Sequence, residues 1–251
     1  MHRITKLVVV IGLLGAFAET VSAQTADEIV EKSLAAGGGR AALGKLKSRH
    51  MTGTVAFSTQ VGDLPGTVEM FNESPNKSRT LMKLDLSAAG VGLVSLDQRF
   101  NGETGYVLDS LQGNREITGP ALDNLKAGSF PTPFLDYKER GGMVELRGKE
   151  KVNERDAYVL TYTPKGGTSV RWSIDVESYL PIRSIIKVNV PQLGPNVEQI
   201  TAFSDYREVD GIKMPFQITN LSVQSFRITV TKVEHNVPID ETMFSKPADG
   251  K

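Results

Sequence analysis

Apolar and polar residues alternate with a period of two through most of this 251-residue chain. The alternation is clear at Val55 and Phe57 and again at Tyr158, Leu160 and Tyr162. A period of two puts successive side chains on opposite faces of a strand, and it is typical of a sheet with one buried face. We count about eleven such runs after residue 49, so the chain is predicted to be mainly β.

Turn residues separate these runs. Asn101-Gly102 and Asp210-Gly211 predict type I′ hairpins, and Lys165-Gly166-Gly167 predicts another tight turn. Short turns between successive runs favour a meander in which neighbouring strands pair antiparallel.

A few helices are predicted beside the sheet. Thr25 and Glu28 have the spacing of a capping box, which predicts a helix that begins at Thr25. The run Gly37-Gly38-Gly39 predicts its end, and a second short helix is predicted over residues 40–46. Because a helix precedes the glycines, they indicate a helix–helix turn rather than a phosphate-binding loop.

Residues 118–142 interrupt the alternation and are predicted to be a helical insertion. Pro120 suits a helix start and Gly128 a helix end. A second short helical or irregular piece is expected near Phe134, Leu135 and Tyr137. The apolar residues of the insertion are expected to cover the open face of the sheet and to form a mobile cover.

The first 23 residues read as an export signal. Arg3 and Lys6 precede an apolar run over residues 7–18, and Val21 and Ala23 stand at the small-residue positions of a cleavage site. A membrane anchor is the alternative, but Glu19 ends the run before the roughly 20 residues that spanning needs. Cleavage is therefore predicted after Ala23, leaving residues 24–251 as a single periplasmic domain that does not span a membrane.

Composition excludes several functions. The chain has 29 Lys+Arg and 29 Asp+Glu, and residues 1–23 contain two basic and one acidic residue, so the net charge after cleavage is about −1. This balance argues against nucleic-acid binding. The absence of cysteine excludes disulfides and thiolate metal sites. We find no motif of a known catalytic site, and we expect no enzyme activity, no metal and no cofactor.

Two kinds of polar side chain are candidates for site residues. His50 and His235 have no metal-binding spacing and are expected at the surface or at a strand edge. Five arginines lie on predicted strands, and one of them pointing inward would be a candidate for holding a polar head group or a lid backbone. They are Arg79, Arg99, Arg171, Arg183 and Arg227.

The surplus of apolar residues on one sheet face suggests a ligand cavity. A curved antiparallel sheet closed by helices can enclose such a cavity, although core packing explains the same residues one by one. The candidate cavity residues are Phe57, Met70, Leu122, Leu125, Phe134, Leu135, Trp172, Ile174, Ile186, Phe226 and Ile228.

Four stretches resemble the LolA/LolB-like superfamily of periplasmic lipoprotein carriers. DVESYLP at residues 175–181 resembles its strand-end motif, and FSDYREVDGIKMPF at residues 203–216 resembles the hairpin that follows. VEHNVPIDETMFSKP at residues 233–247 resembles the C-terminal strand and exit, and residues 25–46 resemble the opening helix pair.

The resemblance implies an unclosed β-barrel of about eleven antiparallel strands with helices as a lid. It also implies a carrier that binds acyl chains of lipoproteins or lipids, takes cargo from an inner-membrane transporter and delivers it to an outer-membrane acceptor. A non-catalytic envelope scaffold or assembly protein, with the same fold and a filled cavity, is the alternative function.

Overall fold

The computed structural model describes residues 24–59, 62–87, 90–190, 194–222 and 225–247. The signal peptide predicted over residues 1–23 lies outside these ranges. The helices are α1 Ala26–Ala36, α2 Arg40–Gly44, α3 Gly119–Ala127 and a 3₁₀ helix Glu241–Phe244. The strands are β1 Ser48–Thr59, β2 Gly62–Glu73, β3 Lys77–Asp85, β4 Leu93–Phe100, β5 Gly105–Asp109, β6 Arg115–Ile117, β7 Met143–Val152, β8 Arg155–Thr163, β9 Val170–Asp175, β10 Pro181–Val190, β11 Gly194–Val209, β12 Ile212–Leu221 and β13 Phe226–His235.

All the described strands belong to one antiparallel sheet in the order β6-β5-β4-β3-β2-β1-β13-β12-β11-β10-β9-β8-β7. The chain enters at the centre of the sheet, runs outward to the edge strand β6, crosses to the opposite edge at β7 and returns to pair β13 with β1. The crossing is made by the segment that contains α3. The sheet is an open antiparallel barrel, as predicted, but the described ranges contain thirteen strands rather than about eleven.

The predicted turns are confirmed only in part. Asp210 and Gly211 both have positive φ (52° and 77°) and join β11 to β12 as a two-residue turn. Asn101-Gly102 instead lies in a four-residue loop, because the pair Phe100–Gly105 closes the β4–β5 hairpin. Lys165-Gly166-Gly167 lies in the connection between β8 and β9. The last residues paired across these strands are Tyr162 and Val170, so this connection is too long for a tight turn and the prediction of one is wrong.

The opening helix pair is confirmed, with a shorter second helix than predicted. Thr25 Oγ1 accepts from the Glu28 N–H at 3.2 Å, and Glu28 Oε2 accepts from the Thr25 N–H at 3.0 Å. The turn after α1 docks on the β11–β12 hairpin, where the Lys213 N–H donates to the Gly37 carbonyl at 3.1 Å. A Cβ on Gly38 would lie 2.4 Å from the Gly211 carbonyl oxygen, so only glycine allows this close approach.

The 118–142 insertion has two parts of different character. Helix α3 has Pro120 in its first turn and Gly128 as its C-cap, in agreement with the predicted start and end. No residue of this helix is buried. The irregular segment that follows carries the buried side chains Phe130, Phe134, Leu135 and Tyr137.

The core forms two main clusters of buried side chains. The first joins α1, α2 and the irregular segment to β8 and β9, and it includes Leu34, Leu160 and Ile174. The second lies on β1, β2, β3, β12 and β13, and it includes Val55 and Ile228. In one half of the sheet, the helices and the irregular segment therefore cover the inner face. In the other half, the side chains of the strands pack against one another.

A buried ion cluster ties the C-terminal segment to β3 and β4. Asp97 Oδ2 lies 2.7 Å from Arg79 Nη2 and 2.8 Å from Arg99 Nη2. Arg79 also donates to Met243 Sδ at 3.0 Å, and Arg99 to the Ser245 carbonyl at 3.2 Å. Burial raises the pKa of Asp97, but the hydrogen bonds from the two guanidinium groups outweigh burial and hold this pKa below its ordinary value.

A search of the described helices finds none with the length and apolar character needed to cross a membrane.

Candidate functional site

An apolar cavity of about 250 Å³ lies where the two core clusters meet. Its roof is formed by α1, α2 and the first residues of the irregular segment, and its floor by β1 and β9–β12. The lining side chains are mostly apolar: Leu34, Leu43, Met51, Pro131, Pro133, Phe134, Trp172, Leu180, Pro181, Phe203, Ile212, Met214, Pro215 and Ile218. Such a lining suits the hydrocarbon part of a ligand rather than a polar substrate.

Three aromatic rings form one wall of the cavity. Trp172 stacks on Phe203, with ring centroids 5.9 Å apart, and meets Phe134 edge to face at 5.6 Å. Because Phe134 comes from the roof and the other two rings from the sheet, this contact holds roof and floor together. The Nε1 atom of Trp172 is buried and has no hydrogen-bond partner in the described part of the chain.

Within the roof, the irregular segment is anchored to α1 and α2 by polar contacts outside the cavity. Tyr137 donates to Asp27, and Lys138 Nζ lies 2.6 Å from the same carboxylate. Arg40 Nη1 lies 3.2 Å from Asp136 Oδ1. Desolvation together with the Asp27 carboxylate raises the pKa of the Tyr137 hydroxyl well above its ordinary value.

Arg49 is the charged residue that lines the cavity from β1. Its guanidinium carbon lies 5.0 Å from the centroid of the Phe130 ring, and its Nε is buried with no hydrogen-bond partner among the residues that the structure describes. Burial lowers the pKa of Arg49 to about 10. Sequence reasoning missed this residue, although it shares its strand parity with the inward-facing Met51 and Val55.

The five candidate arginines from the sequence do not line this cavity. Arg79 and Arg99 bind Asp97, Arg183 binds Glu150 at 2.8 Å and Arg227 lies 3.6 Å from Asp63. Arg171 is exposed. The sequence did not show which arginine, if any, faces a cavity, and the arginine that lines the first cavity, Arg49, is not among these five.

The prediction that the His235 side chain lies at the surface or at a strand edge is wrong. Its side chain is only 2% exposed, and Nδ1 lies 3.2 Å from Asp210 Oδ2. Burial is the main reason that the pKa of His235 lies below its ordinary value; Arg49, its partner across the β1–β13 pairing, lowers it further, while Asp210 opposes the shift. His50 is partly buried on the other face, where it stacks on Phe71 with ring centroids 4.3 Å apart.

A second cavity, of about 690 Å³, lies beside α3 and is more polar. Arg115, Glu116 and Lys187 line it together with apolar residues of β5, β6 and β10. The Asn124 side chain of α3 accepts from the Thr168 N–H at 2.7 Å, which ties this helix to the β8–β9 connection.

The candidate cavity residues are divided among several places. Phe134 and Trp172 line the first cavity, and Leu125 and Ile186 line the second. Leu135 and Ile174 are buried in the first core cluster. Phe57, Met70, Phe226 and Ile228 belong to the second core cluster, and Leu122 lies half-buried on α3.

Sequence reasoning also missed most of the cavity wall that comes from β11, β12 and the helix pair. Phe203, Met214 and Ile218 supply part of this wall. The resemblance of residues 203–216 to a family hairpin was a signal for this region, but it did not tell which side chains face inward.

A search for metal-binding clusters finds no group of three or more His, Cys, Asp or Glu side chains within the described ranges.

Comparison with solved structures shows extensive similarity in fold. A LolA superfamily protein from Nitrosomonas europaea aligns with a TM-score of 0.55 at 13% identity, covering 89% of this chain and 99% of that one. A domain assigned to an outer membrane lipoprotein-sorting protein from Vibrio parahaemolyticus aligns with a TM-score of 0.54 at 13% identity, covering 86% and 94%. A DUF1329 family protein from Desulfovibrio piger aligns with a TM-score of 0.54 at 14% identity, covering 88% and 97%.

No protein-family model and no curated protein matches the sequence. At these identities the structural similarity establishes the fold alone. The chain has a LolA-like fold.

Proposed function

We propose that the protein is a non-enzymatic carrier or binder of acyl chains in the cell envelope. The observation that carries the proposal is the apolar cavity of about 250 Å³ between the sheet and its helical roof. Each buried CH₂ group contributes roughly 0.8 kcal/mol, so a chain of several methylenes has enough driving force to enter a preformed apolar site. The LolA-like fold supports the same function.

The size of the cavity favours a small hydrophobic cargo. Ligand pockets commonly enclose about 300–1,000 Å³, so the 250 Å³ cavity fits one acyl chain better than several. A lipoprotein with several chains would need the roof to move or the second cavity to contribute.

Location in the envelope is part of the proposal. It is supported by the predicted signal peptide and by the fold shared with a lipoprotein-sorting domain. Intact mass of protein purified from an exporting host should show Gln24 as the first residue. Membrane-bound protein that keeps residues 1–23 would contradict this location.

Extraction of purified protein tests the function. Protein isolated from an exporting host without detergent is denatured, extracted and analysed by mass spectrometry, with an unrelated exported protein prepared in parallel. A carrier is expected to release acyl lipid in amounts comparable to protein. Lipid no higher than in the parallel sample, together with no binding of added chains, would favour the scaffold.

Transfer partners follow from the proposed function. A carrier needs a donor at the inner membrane and an acceptor at the outer membrane, and roof residues around Phe134 are the surface that must open for transfer. Cross-linking from this surface in whole cells should capture envelope proteins that exchange lipid with the purified chain. Cross-links that do not depend on loaded cargo would indicate assembly rather than transfer.

A further inference from the structure

Arg49 brings a positive charge into an otherwise apolar cavity without a partner for it. Within the described residues, it makes no hydrogen bond and no ion pair: the ring of Phe130 lies close to its guanidinium, and His235, its neighbour across the β1–β13 pairing, offers no negative charge. Two other partly buried strand arginines are paired with carboxylates: Arg79 with Asp97 at 2.7 Å and Arg183 with Glu150 at 2.8 Å.

The residues around the cavity do not supply a counter-charge. Lys213, at the exposed rim, is a second cation, and the described lining contains no aspartate or glutamate. The partners of Arg49 across the two strand pairings are Asn72 and His235, and the carboxylate beside His235, Asp210, is engaged with that imidazole at 3.2 Å.

An unpaired charge in such a place is unfavourable. Arginine stays protonated at neutral pH even when burial lowers its pKa to about 10. Arg49 is half-buried, and its Nε is buried without a hydrogen-bond partner among the described residues, so the charge is only partly hydrated and lacks a compensating contact there. The indole Nε1 of Trp172, which lines the same cavity from β9, is a second buried donor without an acceptor among the described residues.

We propose that the cavity binds a single-chain amphiphile whose anionic head group pairs with the guanidinium of Arg49. The hydrocarbon chain lies along the apolar lining beside Phe134 and Trp172, and head-group oxygens accept from Arg49. The inference rests on the proposed function, because it specifies the chemical class of the acyl ligand. A fatty-acid carboxylate and a lipid phosphate share the required chemistry.

Calorimetry with ligands of one chain length separates head-group recognition from chain binding. Decanoate, decyl phosphate, decanol and methyl decanoate are titrated into the full mature protein below their micelle concentrations. Both anions, or one of them, should bind about tenfold or more tightly than the two neutral ligands, because hydrogen bonds to charged groups are the stronger ones. The tighter anion identifies carboxylate or phosphate as the preferred head.

Variants of Arg49 test its role directly. Arg49→Met should lose the preference for the anions while still binding decanol, and Arg49→Lys should keep part of the preference. Arg171→Gln is the matched control, since Arg171 lies next to Trp172 in sequence but is exposed. Without ligand, Arg49→Met should melt about 2–4 °C higher than wild type, because an unpaired charge has been removed.

Two results would overturn the inference, and they differ in what they say about the carrier. Equal binding of anionic and neutral ligands by wild-type protein, unchanged in Arg49→Met, would reject the head-group site and leave the acyl carrier intact. Absence of binding by any of the four ligands would reject both proposals. The wild-type comparison alone decides between these results if a variant fails to fold.

Discussion

The ring of Phe134, from the roof, meets the indole of Trp172, from the sheet, edge to face with centroids 5.6 Å apart and an interplanar angle of 61°. Phe134 is 2% exposed, and both rings line the apolar cavity. Opening the roof must break this contact, so the emission of the single tryptophan reports on the roof.

Phe134→Ala should loosen the roof and destabilise the protein. Truncation of a buried phenylalanine costs about 3–5 kcal/mol. The variant should shift the emission of Trp172 toward the red, because water gains access to the indole. Phe226→Ala is the control: Phe226 contacts Phe57 in the second core cluster, so it should lower stability without changing the emission. Equal emission shifts in the two variants would contradict the assigned contact.

Hydrogen exchange should divide the 118–142 insertion into two parts. No residue of α3 is buried, whereas the irregular segment buries Phe130, Phe134, Leu135 and Tyr137. Amides of α3 should therefore exchange faster than those of residues 130–137 and of β9. This refines the expectation that the whole insertion is a mobile cover. Equal protection of α3 and β9, with and without acyl ligand, would count against α3 as a moving element.

Filling the cavity from β12 should weaken acyl binding without harming the fold. Ile218 lines the cavity, while Leu221 on the same strand is 49% exposed. Ile218→Phe should lower the affinity for longer chains more than for shorter ones, because less length remains available. Leu221→Phe, the matched control, should bind like wild type. Unchanged binding by Ile218→Phe would place the ligand elsewhere, with the second cavity as the next site to examine.

Asp97 should make stability depend on pH. Its pKa is lowered in the folded protein, because the hydrogen bonds from Arg79 and Arg99 outweigh the opposing effect of burial. Its stabilising contribution is therefore complete above the unfolded pKa of about 3.9 and is lost as pH falls through the folded pKa. Asp97→Asn should lower the free energy of unfolding by roughly 3 kcal/mol at neutral pH.

Urea unfolding across the acid range measures this effect. The difference between wild type and Asp97→Asn should shrink as pH falls below about 5. Asp205→Asn is the control, because Asp205 forms an exposed ion pair with Arg207 and should change stability little. A difference for Asp97→Asn that stays constant with pH would show that its carboxylate charge is not what stabilises the cluster.

The sheet and its class were predictable because alternation and turn residues act locally. The period of two correctly places Val170, Trp172 and Ile174 on the same face of β9. The turn at Asn153 and Glu154 was missed, since neither residue is a glycine although both adopt positive φ (47° and 66°). Asn153 is a residue that favours this conformation, but Glu154 is not, so the turn signal in the sequence was incomplete.

The motif at residues 175–181 predicted architecture rather than chemistry. Asp175 is buried, and its Oδ1 accepts from the Ser178 N–H and hydroxyl, both at 2.7 Å, while Oδ2 pairs with Arg155 at 2.9 Å. This carboxylate stabilises the turn between β9 and β10. The resemblance carried by the motif therefore supported the fold and gave no information about cargo.

The cavity was only partly predictable. Trp172 and Phe134 were found because each is aromatic and stands on an apolar face or insertion. Arg49 was missed because a charged residue at the start of a strand is usually solvated. Which apolar residues line a void and which fill the core depends on how the two halves of the sheet curve toward each other, and alternation does not specify that curvature.

Calorimetric titration with a homologous fatty-acyl series, followed in parallel by Trp172 fluorescence, tests the central claim most directly. Affinity should rise with each added methylene, by up to the roughly 0.8 kcal/mol that burial of a CH₂ contributes, and then level off when the cavity is filled. The tryptophan emission should change over the same range of ligand concentration. Absence of binding at every chain length under native conditions would contradict the acyl-carrier account and leave the envelope scaffold.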